Sequence, residues 1–445
     1  MIFQSIEELL QKTEEIVGKS FGEIDKQGLL QTKKQDKGIL GKVVETGFYG
    51  YSLNNLAQAD FANIGVELKV SGFRTLKKGG WSAKERISLS QINYNDMIHE
   101  PFEFSSVISK SKKLLFVWYE YIKGGDKKDF VIHDFQLYDL SKIEPIIRND
   151  YNMIQQKVAA GLAHKLSEGE SVILGAAPKG AAGQTRSQPN SPIPAPTRAF
   201  SLKNSFLRGV LNEHRQNLPT KLTIQLTPED WVWDQIKSYK GIKQLDILKM
   251  VDPEYVIGKT PKNLSDMLTR RIIGNEKQLE KLEIFNKSTY KIKSIPIEKD
   301  YTPIEKGTFH TLNISHFEDS WEESEWKLFF EESTFLYMGY IGRDQNNKSL
   351  VNGERILHCL FKVTFTADEI ERFGETYKLI KNAIEQNDIS LLPTATNYPD
   401  IPLVISTKAT KTGAYNLFMA GESTACFMFN KEFLHKKFEE AKIIL

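Results

Sequence analysis

The stretch QADFANIGVELKVSGF, residues 58–73, decides how this chain folds and points to what it does. Val66, Leu68 and Val70 alternate with Glu67 and Lys69, the period of two that marks a half-buried strand. Glu67 and Lys69 therefore project from the same side of that strand, and Asp60 can reach them from the turn-like residues before it. Charges beside a buried strand are costly unless they are paired or bind something. Two neighbouring carboxylates call for a cation between them, and hard oxygen donors suit Mg²⁺. A lysine alongside can orient a water, help to deprotonate it, or offset the charge of a phosphate. That set is what phosphodiester hydrolysis needs. The pattern D-x₆-E-x-K is common, however, and taken alone it reads equally well as a surface ion pair.

Outward from this strand, further strands are expected near 86–92, 114–121 and 130–137. Helices are expected over 5–17, over 38–48, which carries Glu45, and over 143–165. The aromatic run FVWYEY (116–121) reads as a core strand. Strands set between helices make this half α/β or α+β, a mixed sheet flanked by helices. PKGAAGQTRSQPNSPIPAPTR (178–198) is rich in Gly, Pro, Ser and Ala and reads as a long loop. Lys179, Arg186 and Arg198 bracket it, so the loop is expected to bind a ligand.

At 445 residues the chain is too long for one ordinary core. Its net charge of +2 makes it no polycation, so a nucleic-acid site needs local basic clusters. Three flank the acidic strand: TKKQDK (32–37), RTLKKGGWSAKER (74–86) and SKSKK (109–113). Two distant cysteines suggest no disulfide framework. The first residues lack the pattern of a signal peptide, and no apolar run is long enough to span a membrane. A cytoplasmic protein is expected. Zinc spacing, Cys-x-x-Cys and a Gly-x-Ser-x-Gly elbow are absent from the sequence, and GKS (18–20) lacks the upstream glycine of a P-loop.

The second half echoes the first. IVGKSFGEI (16–24) pairs with VIGKTPKNL (256–264), and GVELKVSG (65–72) with TYKIKSIP (289–296). VILGAAPKG (172–180) pairs with LVISTKATK (403–411), and TRAFSLKNSFL (197–207) with TACFMFNKEFL (424–434). The order is preserved, which predicts tandem domains over 1–215 and 216–445. The echo loses the acids: Lys291 stands for Glu67 and Ile284 for Asp60, while Lys293 stands opposite Lys69. A copy built this way should not hold the same metal. Lys291, Lys293, Lys408 and Lys431 keep it basic.

DFANIGVELKVSGF resembles the active-site strand of the MutH-like nucleases of the PD-(D/E)xK superfamily. KGILGKVVE (37–45), SSVISKSKKLLFVWYEYIKG (105–124), AHKLSEGESVILGAAPKG (163–180) and RAFSLKNSFL (198–207) extend the likeness across the first half in the family's order. It is closest to the larger, GATC-cutting restriction enzymes of the Sau type. The resemblance implies two tandem restriction-endonuclease-fold domains, the second a pseudo-nuclease that binds another copy of the DNA.

It implies further that Asp60 and Glu67 are the metal-binding carboxylates, with Glu45 completing the metal site. Lys69 would be the core lysine and Lys110 a further active-site lysine, with Lys112 two residues away on the same expected strand face. Lys179 would read a base, and Arg186, Arg198 and Lys203 would lie along DNA. Where the mismatch-repair member has a wedging tyrosine, this chain has Ser201. The expected activity is Mg²⁺-dependent type II restriction of double-stranded DNA at a palindromic site, GATC. It would need two chains to meet on DNA, and a cognate methyltransferase as functional partner. The competing readings are a strand-nicking mismatch-repair endonuclease, which would need an activating partner, and a DNA-binding protein without turnover.

Overall fold

A computed structural model describes residues 2–32, 36, 38–51, 58–75, 80–181, 183–216, 227–255, 258, 260–274, 279, 282–407 and 413–444. The chain divides into two compact units. One comprises residues 1–225 with 286–288, and the other 226–285 with 289–445.

The strands of the first unit are β1 (Val66–Thr75), β2 (Trp81–Ala83), β3 (Ile87–Gln91), β4 (Lys113–Glu120), β5 (Ile132–Asp139), β6 (Leu174–Pro178), β7 (Thr185–Gln188), β8 (Ser191–Pro196) and β9 (Arg198–Leu202). Its helices include α1 (Ile6–Glu14), α2 (Ile39–Lys42), α3 (Ser106–Ser111), α4 (Glu144–Ala159) and α5 (Asn204–Gln216). The main sheet has the order β2-β1-β4-β5, with β1 and β4 parallel and the outer pairs antiparallel. β4 lies inside this sheet, and every residue from Leu114 to Tyr119 is buried. A strand covered on both faces reads as an unbroken apolar run, which is why LLFVWY shows no alternation. Leu115, Val117 and Tyr119 join Val66 and Leu68 of β1 in one core with Leu9, Ile16 and Phe21. Because Val66 and Leu68 face that core, Glu67 and Lys69 face away from it.

A second, antiparallel sheet has the order β3-β9-β6. Asp150 of α4 is buried and accepts the backbone N–H groups of Val172, Ile173 and Leu174 at 2.7–2.9 Å, which fixes the entry to β6.

Four local expectations change. Residues 178–198 are no structureless loop, since β7 and β8 form an antiparallel hairpin within them. Pro192, Pro194 and Pro196 are tolerated because β8 pairs on one side only, in a two-stranded sheet. The helix expected over 143–165 stops at Ala159, where Gly161 takes a φ of +72°. The helix over 38–48 begins as α2 and widens to a π-helical turn, Val43–Phe48. Lys110 and Lys112 do not share a strand face: Lys110 lies in the last turn of α3, and Lys112 caps it before β4 begins.

The second unit has α6 (Pro228–Ile236), α7 (Gln244–Val251), α8 (Leu264–Ile272), β10 (Tyr290–Ile297), β11 (Gly307–Leu312), α9 (Glu325–Glu332), β12 (Thr334–Ile341), β13 (Ile356–Val363), α10 (Ala367–Gln386), β14 (Leu403–Thr407), β15 (Ala425–Phe429), α11 (Lys431–Glu440) and β16 (Lys442–Ile444). Its sheets are β10-β12-β13-β16 and β11-β15-β14. The first opens with a parallel pair followed by an antiparallel one, as β1-β4-β5 does. Phe309, Phe330, Phe335, Phe373, Phe427 and Phe429 form the centre of its core.

The ladders test the four echoes one by one. β4 and β12 both follow a helix by one residue, and across them Glu67 pairs with Leu114 as Lys291 pairs with Phe335. The second and fourth echoes are therefore in register with the ladders. The third is displaced by two residues: Pro178 pairs with Arg198 where Thr407 pairs with Ala425, so Lys179 corresponds in chain position to Lys408 rather than Thr410. The first echo is misplaced. Gly18 donates to the Ile132 carbonyl and Gly241 to the Leu357 carbonyl, each at a positive φ just before a helix. The counterpart of 16–24 therefore begins near 239; part of the expected match at 256–264 lies outside the described residues.

Candidate active site

Asp60 is folded back onto β1 by a tight turn. Phe61 and Val66 exchange backbone hydrogen bonds, Ala62–Ile64 make one 3₁₀ turn, and Gly65 takes a φ of +65° that favours glycine. The Asp60 carboxylate then accepts the N–H of Leu68 at 2.9 Å, and the Asp60 N–H points to Glu67 Oε2 at 3.3 Å. Glu67 is only 2 % exposed. Its Oε1 accepts Lys69 Nζ at 2.8 Å, with Lys110 Nζ 3.4 Å away. A carboxylate this deeply buried needs such partners.

Glu45 comes from the π-helical turn, a backbone form that recurs at functional sites. Burial, and then the charges of Asp60 and Glu67, push its carboxyl up to about 7; Lys110 and Lys42 oppose the shift. Asp60 is likewise raised, by burial first and by Glu67 second, against the Leu68 N–H and the charges of Lys69 and Lys110. Three carboxyl groups are thus crowded by one another's charge, which a divalent cation would relieve. Among the described residues no three acidic, histidine or cysteine side chains converge on one point. Asp60 and Glu67 could hold a hard divalent cation, with waters and substrate oxygens completing its ligands. Glu45 bears on that pair electrostatically, and its expected place as a third direct ligand is not supported.

Lys179 follows β6, and its backbone N–H is held by Thr197 at 2.8 Å. Its ammonium donates to Ser88 Oγ of β3 at 3.0 Å. Partial burial and the charges of Lys69 and Lys110 hold that ammonium below the usual lysine range, so Lys179 lies within electrostatic reach of the two lysines beside Glu67. Sequence gave no signal for Ser88: Ser88 and Ser90 in ISLSQ look alike. Arg186 is half-buried on β7, and its charge bears on the Tyr94 phenol together with that of Arg198.

Two expected DNA contacts are buried instead. Arg198 is 3 % exposed and donates to the Ala176 carbonyl at 2.6 Å, locking β9 to β6. Lys203 is 1 % exposed, donates to the Ser171 carbonyl, and bears on the buried Asp150. Both hold the small sheet together, so they do not lie along a ligand surface in this structure.

Two comparisons with known proteins bear on this site. Residues 49–150, which include β1, β4, Asp60, Glu67 and Lys69, match the family described as DNA mismatch repair enzyme MutH. The chain is also similar to the type II restriction enzyme Sau3AI of Staphylococcus aureus, with 30 % identity over 367 residues. That match covers 77 % of this chain and 73 % of the relative.

Proposed function

This chain belongs to the MutH-like type II restriction endonucleases, and on that premise we propose that it cuts double-stranded DNA at GATC with Mg²⁺, using Asp60, Glu67 and Lys69. The observation that carries the reading is the buried Glu67 carboxylate, placed against Asp60 on one side and Lys69 and Lys110 on the other. A bound Mg²⁺ would supply Lewis-acid polarisation of the scissile phosphate and a more acidic water. Asp60 and Glu67 would hold it. Lys69, anchored by Glu67, orients the attacking water and is placed to take part in its deprotonation. Lys110 offsets the charge that builds on the phosphate in the transition state.

A palindromic site cut on both strands needs two such clefts. The second unit carries Lys291 and Lys293 at the positions of Glu67 and Lys69. One catalytic unit per chain therefore implies that two chains meet on DNA. The second unit, lacking the acids, would bind a further copy of DNA without cutting it. A cognate methyltransferase would protect the host's own sites.

The test is cleavage of a plasmid of known sequence by the purified full chain in Mg²⁺, with the fragment ends sequenced. Ends that all fall at GATC are expected. Ends at another sequence would overturn the site, and nicks alone would overturn double-strand restriction. Cleavage that survives chelation of all divalent ions would overturn the role of the acidic pair.

A further inference from the structure

Lys179 is partly buried within reach of the charges of Lys69 and Lys110, which repel it. A lysine side chain with four rotatable bonds would escape such a place into water. It is held by a hydroxyl: Ser88 Oγ accepts from its ammonium at 3.0 Å. The ladder between β3 and β9 slips between Ser88 and Ser90, a bulge of the kind that re-aims a side chain beside an active site. At the other end, Lys179 is fixed by its backbone bond to Thr197, the residue before β9. The lysine is thus tied at both ends to the β3-β9-β6 sheet.

The second unit supplies an independent comparison. In the first unit Ser88 lies opposite Ser201; in the second, Thr308 lies opposite Met428, the residue that matches Ser201 in the central strand. The same ladders carry Lys179 onto Lys408. Lys408 lies outside the described residues, so only its place in the chain is used. A hydroxyl on the first strand and a lysine just past the third thus occur in both units. Glu67 does not: its place is taken by Lys291. A pair that persists where the acid is lost is not tied to the acid, and DNA contact is a task the two units can share.

We propose that Ser88 is a positioning and specificity-determining residue: it aims the Lys179 ammonium at an acceptor edge of a purine, guanine O6 and N7, in the bound recognition site. This rests on the restriction-enzyme reading of the cleft. A lysine held in one direction discriminates between base edges, whereas a free one finds the nearest phosphate and carries no sequence information.

The test uses the full-length protein with Ser88→Ala, Ser88→Thr, Lys179→Ala and the Ser88→Ala/Lys179→Ala double variant. Each is assayed on a duplex bearing the cleaved site and on duplexes with single base changes. Ser88→Ala should lower discrimination between them about tenfold, the scale of one good base contact. The loss should fall on KM more than on kcat, and Ser88→Thr should restore it. In the Lys179→Ala background, Ser88→Ala should add nothing, because the residue it aims is gone. Unchanged discrimination in Ser88→Ala, or a full further loss in the double variant, would overturn the proposal. A wild type that shows no preferred site would instead overturn the restriction reading itself, and the two failures are told apart by that control.

Discussion

Glu67 on β1 and Lys291 on β10 hold the same place in the same order of strands and carry opposite charge. The reversal extends to the neighbouring helix. Lys110 lies three residues before β4 begins, and three residues before β12 stands Glu331. Both units fold around aromatic and aliphatic cores without sharing the acid, so the scaffold does not need it. On the proposed function, the acids of the first unit are there to hold a metal ion. A lysine at the position of Glu67 repels a divalent cation, while it would attract a phosphate directly.

The largest effect should come from making the first unit resemble the second. Glu67→Lys should lower single-turnover cleavage by at least about a thousandfold, since it puts a cation where the proposed metal-binding carboxylate stands. DNA binding, followed by gel shift without divalent ions, should persist. Cleavage that survives this exchange would break the comparison. Loss of binding in parallel with cleavage would show that the acid supports the DNA surface as well as the chemistry.

A second contrast lies beneath the β3-β9-β6 sheet. The first unit buries a charge there: Asp150 accepts three backbone N–H groups and is balanced by Lys203. The second unit does the same work with neutral groups. Thr376 Oγ1 donates to the Leu403 carbonyl at 2.6 Å, and Asn430, in the place of Lys203, donates its side-chain amide to the Pro399 carbonyl. Lys203→Ala should therefore cost about 3 kcal/mol of stability in denaturant unfolding, because it strands a buried carboxylate. Asn430→Ala should cost under about 1.5 kcal/mol. Equal costs would mean that Asp150 is satisfied by its backbone donors alone.

Lys203 also shows where sequence reading stops. The alternation of Val66 to Val70 was enough to place Glu67 and Lys69 on one face, because period two is a local property of the strand. The closing of Asp60 onto that face was legible from the turn before it. What the sequence could not show was depth. Arg198 and Lys203 look like any basic residues near a loop; only the packing of β9 between β3 and β6 turns them inward. The hairpin of β7 and β8 was hidden because the glycines before it and the prolines within it signal turns without saying that strands flank them. Ser88 was hidden because its role depends on Lys179, about ninety residues away in the chain. The misplaced echo at 256–264 failed for another reason: a Gly-Lys pair is too short to carry register, and the hydrogen bonds of Gly18 and Gly241 do.

The smallest expected effect is a pH dependence confined to the first unit. Glu45 ordinarily titrates near 4.5, and in the folded chain without metal its carboxyl is pushed up to about 7, by burial first and then by Asp60 and Glu67. The folded state therefore binds an extra proton between those values. The stability this contributes is fully present below about pH 4.5 and is lost as pH rises through about 7. Asp60 is shifted in the same direction and adds to the trend. Glu45→Gln cannot ionise, so in chelator the variant should gain on the wild type by a few degrees in melting temperature between pH 5 and pH 8. The gain is small because Glu45 remains partly in contact with water, which screens it. Mg²⁺ should erase much of the difference, since a cation at Asp60 and Glu67 removes the repulsion that raised Glu45. Parallel melting curves for variant and wild type across that range, with and without Mg²⁺, would mean that Glu45 does not feel the acidic pair. Glu45 would then stand apart from the acidic pair that sets the first unit against the second.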